Sequence, residues 1–127
     1  MLLVKTKIGP SKIEGIGLFA AEPIKVGTKV WVFEPKLDIS FSKEEIDSFS
    51  LATQEQFYRY TYLDKVTQKY LLCGDDARFF NHSETPNCDE REYDSTYALK
   101  DIDIGEELTV NYGIFYGNIG EHPEIRS

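Results

Sequence analysis

Arg78-Phe79-Phe80-Asn81-His82-Ser83-Glu84-Thr85-Pro86-Asn87, RFFNHSETPN in single letters, is the most informative stretch of the chain. Its centre is polar and rich in turn formers. Asn81, His82 and Ser83, followed by Pro86-Asn87, can bond to nearby backbone and hold a loop. Arg78 adds a fixed cation just before that loop. Residue by residue, the stretch also suits a well-capped loop in which His82 is a hydrogen-bonded structural residue.

On both sides of this segment, glycine, proline and alternating apolar residues recur at short intervals. This pattern predicts a mostly β fold of many short strands with short helices. The strands are expected at Leu2 to Ile8, Gly17 to Ala20, Lys29 to Phe33, Tyr58 to Leu63, Tyr70 to Cys73, Asn87 to Glu92, Thr96 to Lys100 and Glu107 to Asn111. One helix start is marked: Ser42 and Glu45 have capping-box spacing ahead of Ile46 and Phe49. Tyr58, Tyr60 and Tyr62 alternate, so in a strand all three rings would share one face.

FAAEPIKVGTKVWV, from Phe19 to Val32, aligns without gaps on YALKDIDIGEELTV, from Tyr97 to Val110. Ala20 matches Ala98, Ile24 matches Ile102, Gly27 matches Gly105 and Val32 matches Val110. Each copy reads strand, turn, strand, with the glycine placed where the chain needs positive φ. Two copies are too few for a solenoid and suit a shared hairpin solution.

The balance of residues narrows the function classes. At 127 residues with 41% hydrophobic content, the chain can bury a core as one domain over 1–127. Cys73 and Cys88 are too few for a disulfide scaffold and have no zinc spacing, so no metal is expected. The start MLLVKTKIGP has no signal-peptide core, and no apolar run is long enough to span a bilayer, so an intracellular protein, cytoplasmic or nuclear, is expected away from membranes. A net charge of −8 argues against direct nucleic-acid binding and suits a basic partner, although such a charge also simply favours solubility.

Two further segments complete a pattern. SKIEGIGLFA, from Ser11 to Ala20, contains Gly15-x-Gly17, which lets backbone approach a ligand and equally suits a turn. EELTVNYG, from Glu106 to Gly113, ends a strand on Tyr112. Taken in this order with the central stretch, they resemble the SET-domain family of protein-lysine methyltransferases. Gly15-Ile16-Gly17-Leu18-Phe19-Ala20 is similar to its opening G-x-G motif. Arg78 to Ser83, with Pro86-Asn87-Cys88, is similar to its central R-F-x-N-H-S-x-x-P-N-C motif. Glu106 to Gly113 is similar to its closing E-E-L-T-x-D-Y-G motif. The likeness runs from about Lys12 to Tyr116.

That resemblance implies small twisted sheets around a C-terminal pseudoknot, an exception to the rule against threaded connections. It implies methyl transfer from S-adenosylmethionine to the side-chain amine of a protein lysine. Gly15, Ile16 and Gly17 would offer backbone to the cofactor, Arg78 would support its carboxylate, and Asn81 and His82 would hold its bent shape. Tyr112 would stand where the methyl group is transferred, as catalytic residue and cofactor contact. Tyr58 and Tyr116 would wall the lysine channel, Tyr116 taking the place of a zinc-binding cysteine cluster that many members carry after the domain. Asn111 stands where Asp is commoner, Glu84 where Cys is common, and Val110 where Phe or Tyr is common. A non-catalytic SET-fold module for basic peptides is the alternative, and the small size of the chain makes a homodimer plausible.

Overall fold

The computed structural model describes residues 1–64, 67–92 and 94–111. Its architecture is mostly β, in small sheets, as expected. Strands β1 (Thr6–Pro10) and β2 (Ile16–Ala20) form an antiparallel hairpin with Ile8 opposite Leu18 and Pro10 opposite Ile16. A three-stranded sheet takes β3 (Lys29–Val32), β9 (Ser95–Ala98) and β8 (Cys88–Glu92), with β9 in the middle. Another takes β4 (Ile39–Phe41), β6 (Tyr70–Leu72) and β5 (Thr61–Leu63), with β6 in the middle. The central and closing motifs meet in a parallel pair. Asn81 and His82 of β7 (Asn81–His82) lie beside Thr109 and Val110 of β10 (Thr109–Val110).

The capping box forms as predicted. Ser42 accepts from the backbone of Glu45, whose carboxylate accepts from Ser42 N at 2.8 Å, and α1 (Lys43–Asp47) follows. The strand expected from Tyr58 to Leu63 is corrected by the structure. Its first part is the end of a helix, α2 (Leu51–Tyr60), and only Thr61–Leu63 is extended. Ser50 caps this helix by accepting from Thr53 N, and Leu51, Ala52, Gln54, Glu55 and Gln56 are good helix formers. Gln54 also donates to the carbonyls of Asp47 and Phe49, tying α2 to the end of α1. The tyrosine alternation therefore bridges a helix end and a strand, and the three rings do not share a face. Strand β1 begins at Thr6 rather than Leu2, and β4 was not anticipated; Leu2 instead bridges Trp31.

Two apolar clusters result. The larger includes Leu18, Ile24, Val30, Trp31, Ile102 and Leu108, and it also takes in Tyr62. The smaller gathers Ile46, Tyr58, Leu63 and Tyr70, with Phe41 and Phe57 packed against it.

The two resembling stretches pair with each other around a local pseudo-twofold axis. Ile24 and Ile102 exchange backbone hydrogen bonds of 2.9 and 2.7 Å. Gly27 N donates to Ala98 O and its counterpart Gly105 N donates to Ala20 O, both at 2.8 Å. Ala98 N donates to Thr28 O and Ala20 N to Glu106 O, both at 2.9 Å. Gly27 and Gly105 have φ of 85° and 91°, the left-handed backbone their turns require. Among the described residues, no helix is long and apolar enough to cross a membrane.

Candidate functional site

The opening loop is closed on itself by Ser11. Its backbone N–H donates to Gly15 O at 2.8 Å, and its hydroxyl oxygen accepts from Ile13 N at 2.9 Å and Glu14 N at 3.3 Å. Gly15 sits at φ 47° with open space where a side chain would be, so the backbone conformation is what favours glycine there. At Gly17 the space, not the backbone, is what is occupied, by the carboxylate of Glu107. A Cβ on it would lie 2.4 Å from Glu107 Oε2.

Glu107 joins all three motifs. Ser11 Oγ donates to its carboxylate, at 2.8 Å from Oε1 and 2.9 Å from Oε2. Asn81 Nδ2 donates to Oε2 at 2.8 Å and to the carbonyls of Glu14 and Ile16 at 3.1 and 3.3 Å. Asn81 is 1% exposed, and among the described residues its Oδ1 is a buried acceptor without a hydrogen-bond partner. Flipping the amide would turn that oxygen on a carboxylate and two carbonyls, so its orientation is set by the network. A buried acceptor left this way costs on the order of 1–3 kcal/mol unless a donor arrives.

Asn87 holds the closing segment in place. Its side chain donates to Glu107 O at 2.8 Å and accepts from Thr109 N at 2.9 Å, while Ser83 N donates to Val110 O at 2.9 Å. His82 Nε2 lies 3.3 Å from Glu84 Oε1. Arg78, on a 3-10 turn over Asp76–Phe79, donates to Cys73 O at 3.2 Å. The structure thus gathers Gly15, Ile16, Gly17 and Asn81 in one contact network, and His82 follows Asn81 on the same strand.

The tyrosines divide between separate surroundings. Tyr58 belongs to the smaller cluster, where its hydroxyl donates to Asp47 Oδ1 at 2.6 Å and its ring meets Tyr70 edge-on at 5.4 Å. Tyr60 instead meets Phe79 edge-on at 5.7 Å, directly beside the central motif. Tyr62 donates to Ala77 O at 2.8 Å and, with Trp31, Phe80, Thr96 and Val110, lines a small apolar cavity. Tyr112 and Tyr116 lie outside the described residues.

Burial pushes the Cys88 thiol up to about 12, with Asp89 adding to the shift, and raises Cys73 in the same way. Both remain protonated at neutral pH, which suits neither a nucleophile nor a metal ligand. Burial, reinforced by Asp64 and Asp94, pushes the Glu90 carboxyl up to about 8.

Ser11 and Glu107 are the residues that sequence reasoning missed. Glu107 was visible only as a letter in a motif, and its one signal was a charge directly before the fully buried Leu108. Tyr60 was visible only as part of the tyrosine alternation.

Residues 15–113 match the family model described as the SET domain. A Schizosaccharomyces pombe histone-lysine N-methyltransferase, specific for H3 lysine-37, is 32% identical over 112 residues, covering 84% of this chain and 72% of that protein. The histone-lysine N-methyltransferase trithorax of Drosophila virilis is 29% identical over 109 residues, covering 80% of this chain and 3% of its own length. Among solved structures, a humanized mutant of the Chaetomium thermophilum Polycomb Repressive Complex 2 superimposes with a TM-score of 0.61 at 27% identity, covering 93% of this chain and 16% of that one. A Plasmodium falciparum protein has the same fold, with a TM-score of 0.61 at 24% identity over 88% of this chain and 96% of its own.

Proposed function

The chain belongs to the SET-domain family, and from that premise we propose that it is a protein-lysine N-methyltransferase with its methyl-donor site at the meeting of the Gly15–Gly17 loop, Asn81-His82 and Glu107. The observation that carries this assignment is the Oδ1 of Asn81, an acceptor without a partner among the described residues, on an amide oriented by three hydrogen bonds and buried beside a glycine loop. S-adenosylmethionine is the group the family implies, and these residues fit it, because the amino-acid end of that molecule offers an ammonium donor and a carboxylate. Gly15, Ile16 and Gly17 would hold it by backbone, Asn81 and His82 by backbone and side chain, and Arg78 near its carboxylate. Bound there, it supplies an electrophilic methyl group on a sulfonium.

This chain's own residues do the rest by positioning and desolvation. A lysine amine, with an ordinary pKa of about 10.4, is mostly protonated at neutral pH and must lose that proton before it can attack. An apolar, aromatic-walled channel disfavours the ammonium form by removing water. It also offers π faces to a methylated, cationic product. Tyr60, beside Phe79, is better placed for that wall than Tyr58, whose hydroxyl is engaged with Asp47 in the smaller cluster. Tyr116 would close the channel opposite. Tyr112 would orient the amine through its hydroxyl, so that in-line transfer is favoured mainly by alignment of the two reactants. The pseudoknot that the family resemblance implies, in which the segment carrying the closing motif passes beneath a loop formed by the chain before it, would be part of that placement.

The substrate would be a basic protein segment, consistent with the net charge of −8 and with relatives named for histone lysines. An intracellular site of action, cytoplasmic or nuclear, goes with such a substrate. Self-association is part of the same proposal. Light scattering should then give twice the mass of one chain, and the mass of a single chain would remove that part.

Calorimetric titration with S-adenosylhomocysteine tests the donor site. Binding by the unmutated chain, weakened at least about tenfold in Asn81→Ala, is expected for losing a hydrogen bond to a charged group. Equal affinity in the two proteins would contradict it.

A further inference from the structure

We propose that Ser11 is a positioning residue for the methyl-donor site, acting through Glu107 on Asn81. The proposal rests on the assignment of Asn81 to that site. Ser11 is half-buried at the start of the opening loop, and every hydrogen-bonding capacity of its hydroxyl is in use. Its oxygen accepts from the two amides of Ile13 and Glu14, and its single proton is shared between the oxygens of Glu107.

The contacts form a closed ring. Ser11 holds Glu107, Glu107 Oε2 holds one side of the Asn81 amide, and Asn81 returns to the opening loop through the carbonyls of Glu14 and Ile16. The loop then leads back to Ser11 through Gly15 O. Each member limits the freedom of the next, and the ring leaves the buried side-chain oxygen Asn81 Oδ1 without a partner among the described residues. Without the Ser11 proton, the Glu107 carboxylate loses its bond to the loop and keeps the one to Asn81. The carboxylate can then swing, and the acceptor swings with it. Gly17 makes the arrangement stricter, because the carboxylate occupies the space a side chain at position 17 would need.

The experiment compares Ser11→Ala, Ser11→Thr, Glu107→Gln and the Ser11→Ala/Glu107→Gln double variant. Amide hydrogen exchange on the cofactor-free protein reports the ring itself. In Ser11→Ala, the Ile13 and Glu14 amides should exchange about tenfold faster or more, as expected when a local closing interaction is lost. Calorimetry with S-adenosylhomocysteine reports the consequence. Ser11→Ala should bind about tenfold more weakly, in the range of one charge-assisted hydrogen bond. Ser11→Thr, which keeps the hydroxyl, should return to near the unmutated affinity. The double variant should bind no more weakly than Glu107→Gln alone, because coupled residues are not additive.

Unchanged exchange and affinity in Ser11→Ala would overturn the proposal. So would equal losses in Ser11→Ala and Ser11→Thr, or additive losses in the double variant. Absence of S-adenosylhomocysteine binding by the unmutated chain would overturn the donor-site assignment and this role with it, while exchange would still report whether the ring exists.

Discussion

The two resembling hairpins, residues 19–32 and 97–110, share a backbone solution and differ in what their side chains are used for. Their cross-pairs are equivalent. Lys29 in the first copy lies opposite Tyr97, and its counterpart Glu107 in the second lies opposite Phe19. Lys29 puts its ammonium 5.5 Å from the centre of the Tyr97 ring, while Glu107 turns to Ser11 and Asn81. At the next position inward, Val30 and Leu108 are both fully buried. A symmetric core thus carries an asymmetric site, because Ser11 of the opening loop and Asn81 of β7 bond to Glu107 of the second copy, while Lys29 faces the Tyr97 ring. The backbone pairing is shared, and of the charged positions at which the copies differ, Glu107 is the one whose side chain bonds to both Ser11 and Asn81.

Variants at paired positions separate what is shared from what is not. The largest effect is expected at the axis. Ile24→Ala and Ile102→Ala should each lose about 2–5 kcal/mol of stability, the range for deleting a buried isoleucine. Their losses should be alike, since both side chains are nearly fully buried. Denaturant unfolding measures this, and a large loss at one position only would break the equivalence.

Beyond the copies, symmetry should vanish. Tyr112→Phe should lower turnover about a hundredfold or more, as for one positioned polar group in a transition state. Glu34→Gln, two residues past Val32 as Tyr112 is two past Val110, should leave turnover unchanged. Steady-state kinetics that found the two variants alike would remove the distinction.

Glu107→Ala against Lys29→Ala sharpens the comparison. The first leaves Ser11 and Asn81 without their carboxylate and should cost about 1–3 kcal/mol in stability, with cofactor affinity reduced about tenfold or more. The second is a surface change expected to stay within about 0.5 kcal/mol. Thermal melts and calorimetry read both, and a Lys29→Ala loss as large as that of Glu107→Ala would contradict the assignment.

The smallest effect concerns Glu90 on β8, which pairs with the second copy. Its carboxyl is raised from 4.5 to about 8, chiefly by burial, so the folded state favours the protonated form. Its contribution to stability is therefore complete below pH 4.5 and is lost as pH rises through 8. Glu90→Gln should melt with the unmutated chain in acid and above it beyond pH 8. Parallel melting curves across that range would show that the shift is absent.

Much of the fold was legible because short strands announce themselves through punctuation and alternation. Ile16–Ala20, Lys29–Val32 and Cys88–Glu92 fall where their spacing predicted. Helix α2 was obscured by a coincidence. Three tyrosines two residues apart mimic a strand, although Ser50 caps a helix that ends within them. The site was legible as motifs and not as contacts. Gly17 suggested close approach, but nothing in the spacing told that Glu107 would be what approaches it, or that Ser11 would bind the same carboxylate. Those contacts join residues far apart along the chain, and they are brought together by the bridge between Phe19 and Glu107 and by the pairing of β7 with β10.

Mass spectrometry of a lysine-bearing basic peptide, incubated with S-adenosylmethionine and this protein, tests the central claim most directly. Methyl groups should be added to the lysine by the unmutated chain and lost in both Tyr112→Phe and the peptide with arginine in place of lysine. A chain that binds the methyl donor tightly and leaves every such peptide unmodified would contradict an enzyme and leave only a binding module.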